Sequence, residues 1–320
     1  MSLAPIIVFA YKRPALLKQA LDALAANPEA PGSSLTVYCD GPKADASESE
    51  RKAIEQTRVE ARCARGFGDA QVVAADRNKG LAASVIEGVT ATVNRHGRVI
   101  VVEEDVVVAP CFLRYMNDAL ERFADADRVL SIGSWNYFAP GAGDAPAFLL
   151  RYPDSIAWGT WKRAWDLFEP DGKVLQQALE RTGRMRAFEA DGQVRYFGPM
   201  LQAQLDGRVD SWAIRWTATS VLHDKVNLYP RESMARHEGF GAEATHERDS
   251  DDYNAGLRLA STAPDLSSVL IEESEPALSA WALFVRSHFN AAPPSAFTRL
   301  WRLLPIGLRN RLRRAIPVAA

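Results

Sequence analysis

A mainly parallel α/β sheet with helices on both faces, continued by a smaller second lobe, is the architecture this sequence predicts. Two observations carry it. Over residues 1–132 short β-branched runs alternate with longer amphipathic ones, and such β-α-β-α alternation marks a parallel sheet covered by helices. From residue 133 the texture turns aromatic, with Trp135, Tyr137, Trp158, Trp161, Trp165, Trp212 and Trp216 close together.

Taken in order, residues 5–10 (PIIVFA) read as a buried strand. Residues 14–26 form an amphipathic stretch with Leu16, Leu17, Leu21 and Leu24 on one face. Residues 35–39 (LTVYC) are a second strand, ended by the turn signal Asp40-Gly41-Pro42. A polar helix over 47–64 leads to a third strand at 70–75 (AQVVAA), and a helix over 80–94 to a fourth at 98–102 (RVIVV). That fourth strand closes on Glu103, Glu104 and Asp105. Ligands of such sheets bind at the carboxyl ends of strands, and the polar residues fall there: 11–13, Asp40, 77–79 and 103–105. A Pro/Gly/Ala segment at 139–146 separates the halves. Helices are expected near 160–168 and 195–206, and a polar, acidic loop over 236–253. No internal repeat is evident.

Composition sets the frame. The chain has 320 residues, 47% hydrophobic and 24% charged, which is ordinary for a soluble globular protein. A net charge of −2 argues against a nucleic-acid partner. Cys39, Cys63 and Cys111 are odd in number and show no CxxC spacing, so a reducing compartment fits best. With no signal-peptide layout and no apolar stretch of the roughly 18 residues that span a bilayer, the expected location is cytoplasmic. No Asp or Glu follows Glu275, whereas Arg286, Arg299, Arg302, Arg309, Arg311, Arg313 and Arg314 do. Residues 297–316 suit a basic amphipathic helix at an anionic membrane surface, or a terminal helix docked on the body with its arginines in water; the membrane reading, on the inner face of the plasma membrane, is preferred.

The chemistry centres on 99–110 (VIVVEEDVVVAP), an apolar strand ending in three carboxylates. Such concentrated charge calls for a cation nearby, and hard oxygen ligands suit Mg²⁺ or Mn²⁺. The plain alternative is three solvated acids. Other chemistries lose their signatures. No GxGxxG follows the first strand, and there is no P-loop lysine, HExxH or GxSxG.

At this triplet the chain resembles the metal-site segment of GT-A-fold glycosyltransferases, with APCFL at 109–113 and Tyr115 matching an "APxFxxY"-like helix start. The resemblance is to bacterial sugar transferases of polysaccharide assembly and, more distantly, to the N-acetylglucosaminyltransferase I family. It spans roughly residues 5–246. It implies a Rossmann-like GT-A sheet with a nucleotide-sugar-binding half (1–132), a donor-sugar and acceptor half of the same domain (133–275) and a helical basic tail (276–320). By resemblance Asp105 contacts the metal, Glu104 lies near the ribose or a metal-bound water, and Glu103 stands with them among donor-contacting residues. The family's usual Asp is replaced by Glu104 at the middle position. IVFAYKR at 7–13 resembles the strand and loop that receive the nucleoside, with Arg13 a contact; Asp40 falls where the family places an acid on uracil; RNKGL at 77–81, with Asn78 and Lys79, resembles a nucleotide loop.

SIAWGTWKRAW at 155–165 is similar to a donor-pocket segment, and VDSWAIRW at 209–216 to the one supplying the base of inverting members. Asp210 therefore takes the base role, with helix capping as the bland alternative, and Trp158 and Trp212 stack on sugar unless they are core aromatics. His246 and Arg236 are candidate diphosphate contacts, or merely solvated side chains. The implied activity is hexosyl or N-acetylhexosaminyl transfer from a UDP-sugar, with Mn²⁺ or Mg²⁺, to a cell-surface glycan or lipid-linked glycan acceptor. A sugar-phosphate nucleotidyltransferase and a non-catalytic glycan- or nucleotide-binding component of an assembly complex are the rivals. AYKRPA at 10–15 lacks the glycine-rich loop of the first, and the intact acids count against the second.

Overall fold

The central β-branched runs at 6–10 and 99–102 fold as strands because they are apolar throughout, as strands covered on both faces must be, whereas the edge run at 69–74 is largely exposed. The computed structural model describes residues 3–138, 145–239 and 257–289. β1 (Ile6–Ala10) is wholly buried and leads into α1 (Pro14–Ala25), whose first position holds a proline, tolerated there because that N–H has no helical partner. β2 (Ser34–Cys39) is followed by α2 (Glu48–Arg62), started by a capping box in which Ser47 and Glu50 satisfy each other's backbone N–H groups. β3 (Asp69–Ala74), α3 (Leu81–His96) and β4 (Arg98–Glu103) complete the first half, and Gly97, at φ +78°, ends α3 in the left-handed conformation glycine favours.

The second half adds β5 (Val106–Val108), α4 (Phe112–Arg122), β6 (Val129–Gly133), β7 (Ala147–Leu150) and β8 (Ala157–Trp161). Then come α5 (Lys162–Trp165), α6 (Gly172–Arg181), α7 (Met185–Phe188), α8 (Phe197–Leu205), α9 (Trp212–Leu222), β9 (Val226–Pro230), β10 (Ala235–His237) and α10 (Glu275–His288). The main sheet runs β3-β2-β1-β4-β8-β6-β9-β7, and β5 pairs with β10 in a small second sheet. β1 to β4, β6 and β9 point one way, while β7 and β8 run against them. Strands of both halves therefore share one sheet.

Two sequence expectations need correction. The helix expected near residues 160–168 begins only at Lys162, because the apolar AWGTW segment pairs on both sides, with β4 and with β6. Gly159 lets the Val99 carbonyl approach, since a β-carbon there would lie 3.2 Å from it. The loop expected from residue 236 is strand at its start, where Arg236 and His237 pair with Val107 and Val106.

The larger core gathers β1, β4, β8 and the faces of α1, α3, α4 and α9. A second core lies under β7, formed by Tyr152, Phe188, Phe197 and Trp281 with α6 and α8. Trp281 stacks on Tyr152 at 4.2 Å and on Phe197 at 5.5 Å. That packing docks α10 on the body, so the expected division at 275/276 falls inside its first turn. The basic stretch 297–316 lies outside the described residues. No helix among the described residues is long and apolar enough to cross a membrane.

Candidate active site

The end of β4 delivers the three carboxylates to the carboxyl edge of the sheet. The backbone N–H of Glu103 donates to the Ile156 carbonyl and that of Glu104 to the Phe9 carbonyl, which fixes the turn before β5. Glu104 is buried and accepts from the Tyr11 N–H at 2.6 Å and from Arg13 Nε at 2.7 Å. Arg13 Nη2 reaches Asp105 Oδ2 at 2.8 Å. The cation that the charge cluster demands is thus Arg13, bridging two of its members. From the far side His237 Nε2 lies 3.3 Å from the same Oδ2. The Glu238 N–H holds the Asp105 carbonyl at 2.7 Å. Asp105 is 3% exposed, and its Oδ1 is buried with no hydrogen-bond partner.

Burial, reinforced by the charge of Asp105, pushes the Glu103 carboxyl well above its ordinary value. Burial also raises Glu104, against the pull of Arg13. For Asp105 burial acts upward too, but the hydrogen bond from His237 and the charges facing it outweigh that and hold it below the usual range. Oxygen and nitrogen ligand atoms of Glu103, Asp105 and His237 all lie within 4.8 Å of one another. Two carboxylates, one imidazole and an unsatisfied buried oxygen fit a divalent cation. The imidazole suits Mn²⁺ better than Mg²⁺, which prefers oxygen alone. Gly239 packs against this set, and a β-carbon there would overlap the Asp105 carboxylate.

Beside the acids opens a cleft of about 270 Å³, lined by Phe9, Tyr11, Arg13, Tyr38, Asp40, Asn78, Leu81, Ser84, Glu103 and Glu104 among others. Asp40 forms its floor in an unexpected way. Its Oδ1 accepts from the Gly41 and Lys79 N–H groups, and its Oδ2 from the Gly80 N–H and Asn78 Nδ2, all at 2.8–3.0 Å. A carboxylate offers about four acceptor positions, and here all four are taken by the chain itself. Gly41 permits this, because a β-carbon there would run into the Arg77 backbone. Lys79 lends its backbone to this clamp while its ammonium pairs with Glu87 at 2.6 Å.

The other expected site residues separate. Trp158 is 0% and Trp212 3% exposed, and they stack on each other at 5.0 Å among Trp165 and Trp216. Neither offers a face to a sugar, which corrects the stacking role: both are core aromatics. Their stack nonetheless ties the first residue of α9 to the strand beside β4, where Trp158 pairs with Val101, two residues before Glu103. Asp210 stands just ahead of that helix, 63% exposed, with Arg215 Nη2 at 2.8 Å. It does not cap α9; the Ser211 hydroxyl does, accepting from the Ile214 N–H. Arg236 pairs with Glu238. His246 lies outside the described residues. Sequence reasoning weighed His246 and passed over His237, which the structure brings to the acids. The available signal was its place at the end of a short run before a glycine, like the other strand-end site residues.

No protein-family model matches the chain, and no curated protein does. Among solved structures it is similar to S. aureus TarS, at 16% identity and a TM-score of 0.28, over 41% of this chain and 21% of that one. It is similar to UDP-glucose pyrophosphorylase complexed with UDP-glucose, at 8% identity and 0.35, over 72% and 90%. A third is glucosyl-3-phosphoglycerate synthase from Mycobacterium tuberculosis in complex with Mn²⁺, UDP and glucosyl-3-phosphoglycerate, at 14% and 0.34, over 56% and 66%. At these values the likenesses carry no argument, and fold and function have to be argued from the chain itself. The chain does have the mainly parallel, helix-flanked α/β sheet that the sequence predicts, in the order β3-β2-β1-β4 with β8 antiparallel beside β4 and the acids at the end of β4.

Proposed function

We propose that this chain is a metal-dependent glycosyltransferase that moves a hexosyl or N-acetylhexosaminyl group from a UDP-sugar to a hydroxyl of a cell-surface or lipid-linked glycan, with inversion. One observation carries the reading: Glu103, Asp105 and His237 meet within ligand distance of one another beside an open cleft with polar and aromatic walls. These three residues would hold Mn²⁺ or, less well, Mg²⁺. When bound, the ion supplies Lewis-acid neutralisation of charge on a departing diphosphate.

The chain's own residues do the rest. Phe9, Tyr38 and Leu81 offer apolar walls to a nucleoside, and Asp40 holds the 77–80 loop that shapes its floor. Asp210 takes the proton of the acceptor hydroxyl as that oxygen bonds to the anomeric carbon and the carbon–oxygen bond to the nucleoside diphosphate breaks. Its exposure supports this role, since an acceptor can reach it. Arg215, whose other nitrogens hold the Ser211 and Pro170 carbonyls, keeps it in place. The basic segment 297–316 would bring the enzyme to a lipid-linked acceptor.

The test is a hydrolysis and binding panel of UDP-, GDP- and dTDP-sugars with and without Mn²⁺. Wild type should use one donor only with metal. Asp105→Ala should lose metal-dependent binding. Asp210→Asn should keep binding and lose turnover by about 10²–10⁴-fold, the usual worth of a general base. Absence of nucleotide binding under every condition sinks the reading in favour of a non-catalytic glycan-assembly component, and pyrophosphate-dependent UDP-sugar synthesis would make the chain a nucleotidyltransferase.

A further inference from the structure

We propose that Arg13 is a built-in counter-cation of the acidic site, so that a divalent ion binds tightly only once a nucleoside diphosphate has drawn this guanidinium off Asp105. The inference rests on the metal reading above and adds a coupling between the two ligands.

Three observations lead to it. Arg13 bridges Glu104, through Nε at 2.7 Å, and Asp105, through Nη2 at 2.8 Å. It occupies one oxygen of Asp105, while the other is buried and unpartnered. And its side chain, 19% exposed, also lines the cleft. An ion held by Glu103, Asp105 and His237 would share the Asp105 carboxylate with a guanidinium already bonded to it. Like charges a few ångströms apart in a buried site repel strongly, so Arg13 in this position opposes the ion. A guanidinium fork matches phosphate oxygens as well as carboxylate ones. A diphosphate in the cleft offers Nη2 a replacement for Asp105, while Nε keeps Glu104. Asp105 is then left with its full charge for the ion. Linkage makes the effect reciprocal: the ion tightens the nucleotide by the same factor.

A merely supporting Arg13 predicts the opposite sign, since its removal would disorder Asp105 and weaken metal binding. The experiment is Mn²⁺ titration of the full chain, followed by the electron paramagnetic resonance signal of the free ion, with and without UDP. Without nucleotide, Arg13→Gln should bind Mn²⁺ about tenfold tighter than wild type, in the range of ordinary coupling energies. UDP should tighten Mn²⁺ in both proteins, because its diphosphate attracts the ion directly, but by a factor about tenfold smaller in the variant, which lacks the guanidinium to be displaced. Unchanged or weaker Mn²⁺ binding by a folded Arg13→Gln overturns the proposal. Should that variant not fold, Arg13→Lys decides, because a point charge cannot bridge both carboxylates. Two- to threefold tighter binding without nucleotide supports the coupling, and equal or weaker binding refutes it. Mn²⁺ binding that survives Asp105→Asn points elsewhere: the metal site itself is then misassigned.

Discussion

Asp40 and Glu103 both line the cleft, yet their surroundings differ. Asp40 accepts four hydrogen bonds from residues 41 and 78–80, an arrangement that holds that loop. Asp40→Ala should lower unfolding stability by about 1–3 kcal/mol, because one buried and three part-buried N–H donors lose a charged acceptor. Urea titration checks this. Nucleotide affinities measured in parallel should fall together for uracil, guanine and thymine, whereas a base-reading carboxylate would lose uracil alone. Glu103 has spare acceptor capacity, and burial holds its proton well above the ordinary value of 4.5. A carboxyl that binds its proton more tightly when folded favours folding fully below that ordinary value and less as pH rises through the raised one. The metal-free protein should therefore lose thermal stability as pH rises above the ordinary carboxyl value of 4.5. Glu103→Gln should flatten that slope, as should saturating Mn²⁺, which binds the deprotonated form. A slope unchanged in Glu103→Gln would assign the effect to another buried acid.

Among the elements, the short strand β10 matters more than its size suggests. Its three residues pair with β5 and carry His237 to Asp105, and the chain then passes so close that only glycine fits at 239. Gly239→Ala should push this segment off the acids. The expected result is at least a tenfold loss of Mn²⁺ affinity, with unfolding stability lowered by about 1–3 kcal/mol, as for other overpacked sites. Calorimetric Mn²⁺ titration and thermal melts separate the two effects. Unchanged metal affinity would remove His237 from the ligand set. α9 plays a comparable part. Its amino end is held by the stack of Trp212 on Trp158, and Arg215 fastens the residues just before it. An aromatic core thus positions an exposed carboxylate without touching substrate.

At the scale of the whole molecule, the second core and α10 brace the far edge of the sheet, away from the acids. Trp281, 3% exposed and stacked on Tyr152 and Phe197, is the large side chain that ties α10 down. Trp281→Ala should lower stability by about 3–5 kcal/mol, the usual loss for a buried tryptophan. At low temperature Mn²⁺ and nucleotide affinities should stay within about twofold of wild type, since distant sites act independently. A selective loss of nucleotide binding in a still-folded variant would show instead that the second core sets the cleft's shape.

Hydrophobic period and strand-end chemistry are local properties, written within a few residues of each other. For that reason the sequence alone determined the alternating α/β order, the positions of β1 to β4 and their helices, and the acidic triplet at the sheet's carboxyl edge. The amphipathic reading of 160–168 failed where a segment as readily strand as helix was decided by pairing on both flanks. Only the tertiary structure decided that His237 meets Asp105 from 132 positions along the chain (237 − 105), that Arg13 faces the acids, that Asp40 is already saturated, and that Trp158 and Trp212 face inward. Contacts between residues so far apart follow from packing and strand register, and nothing in the local pattern of either partner encodes them.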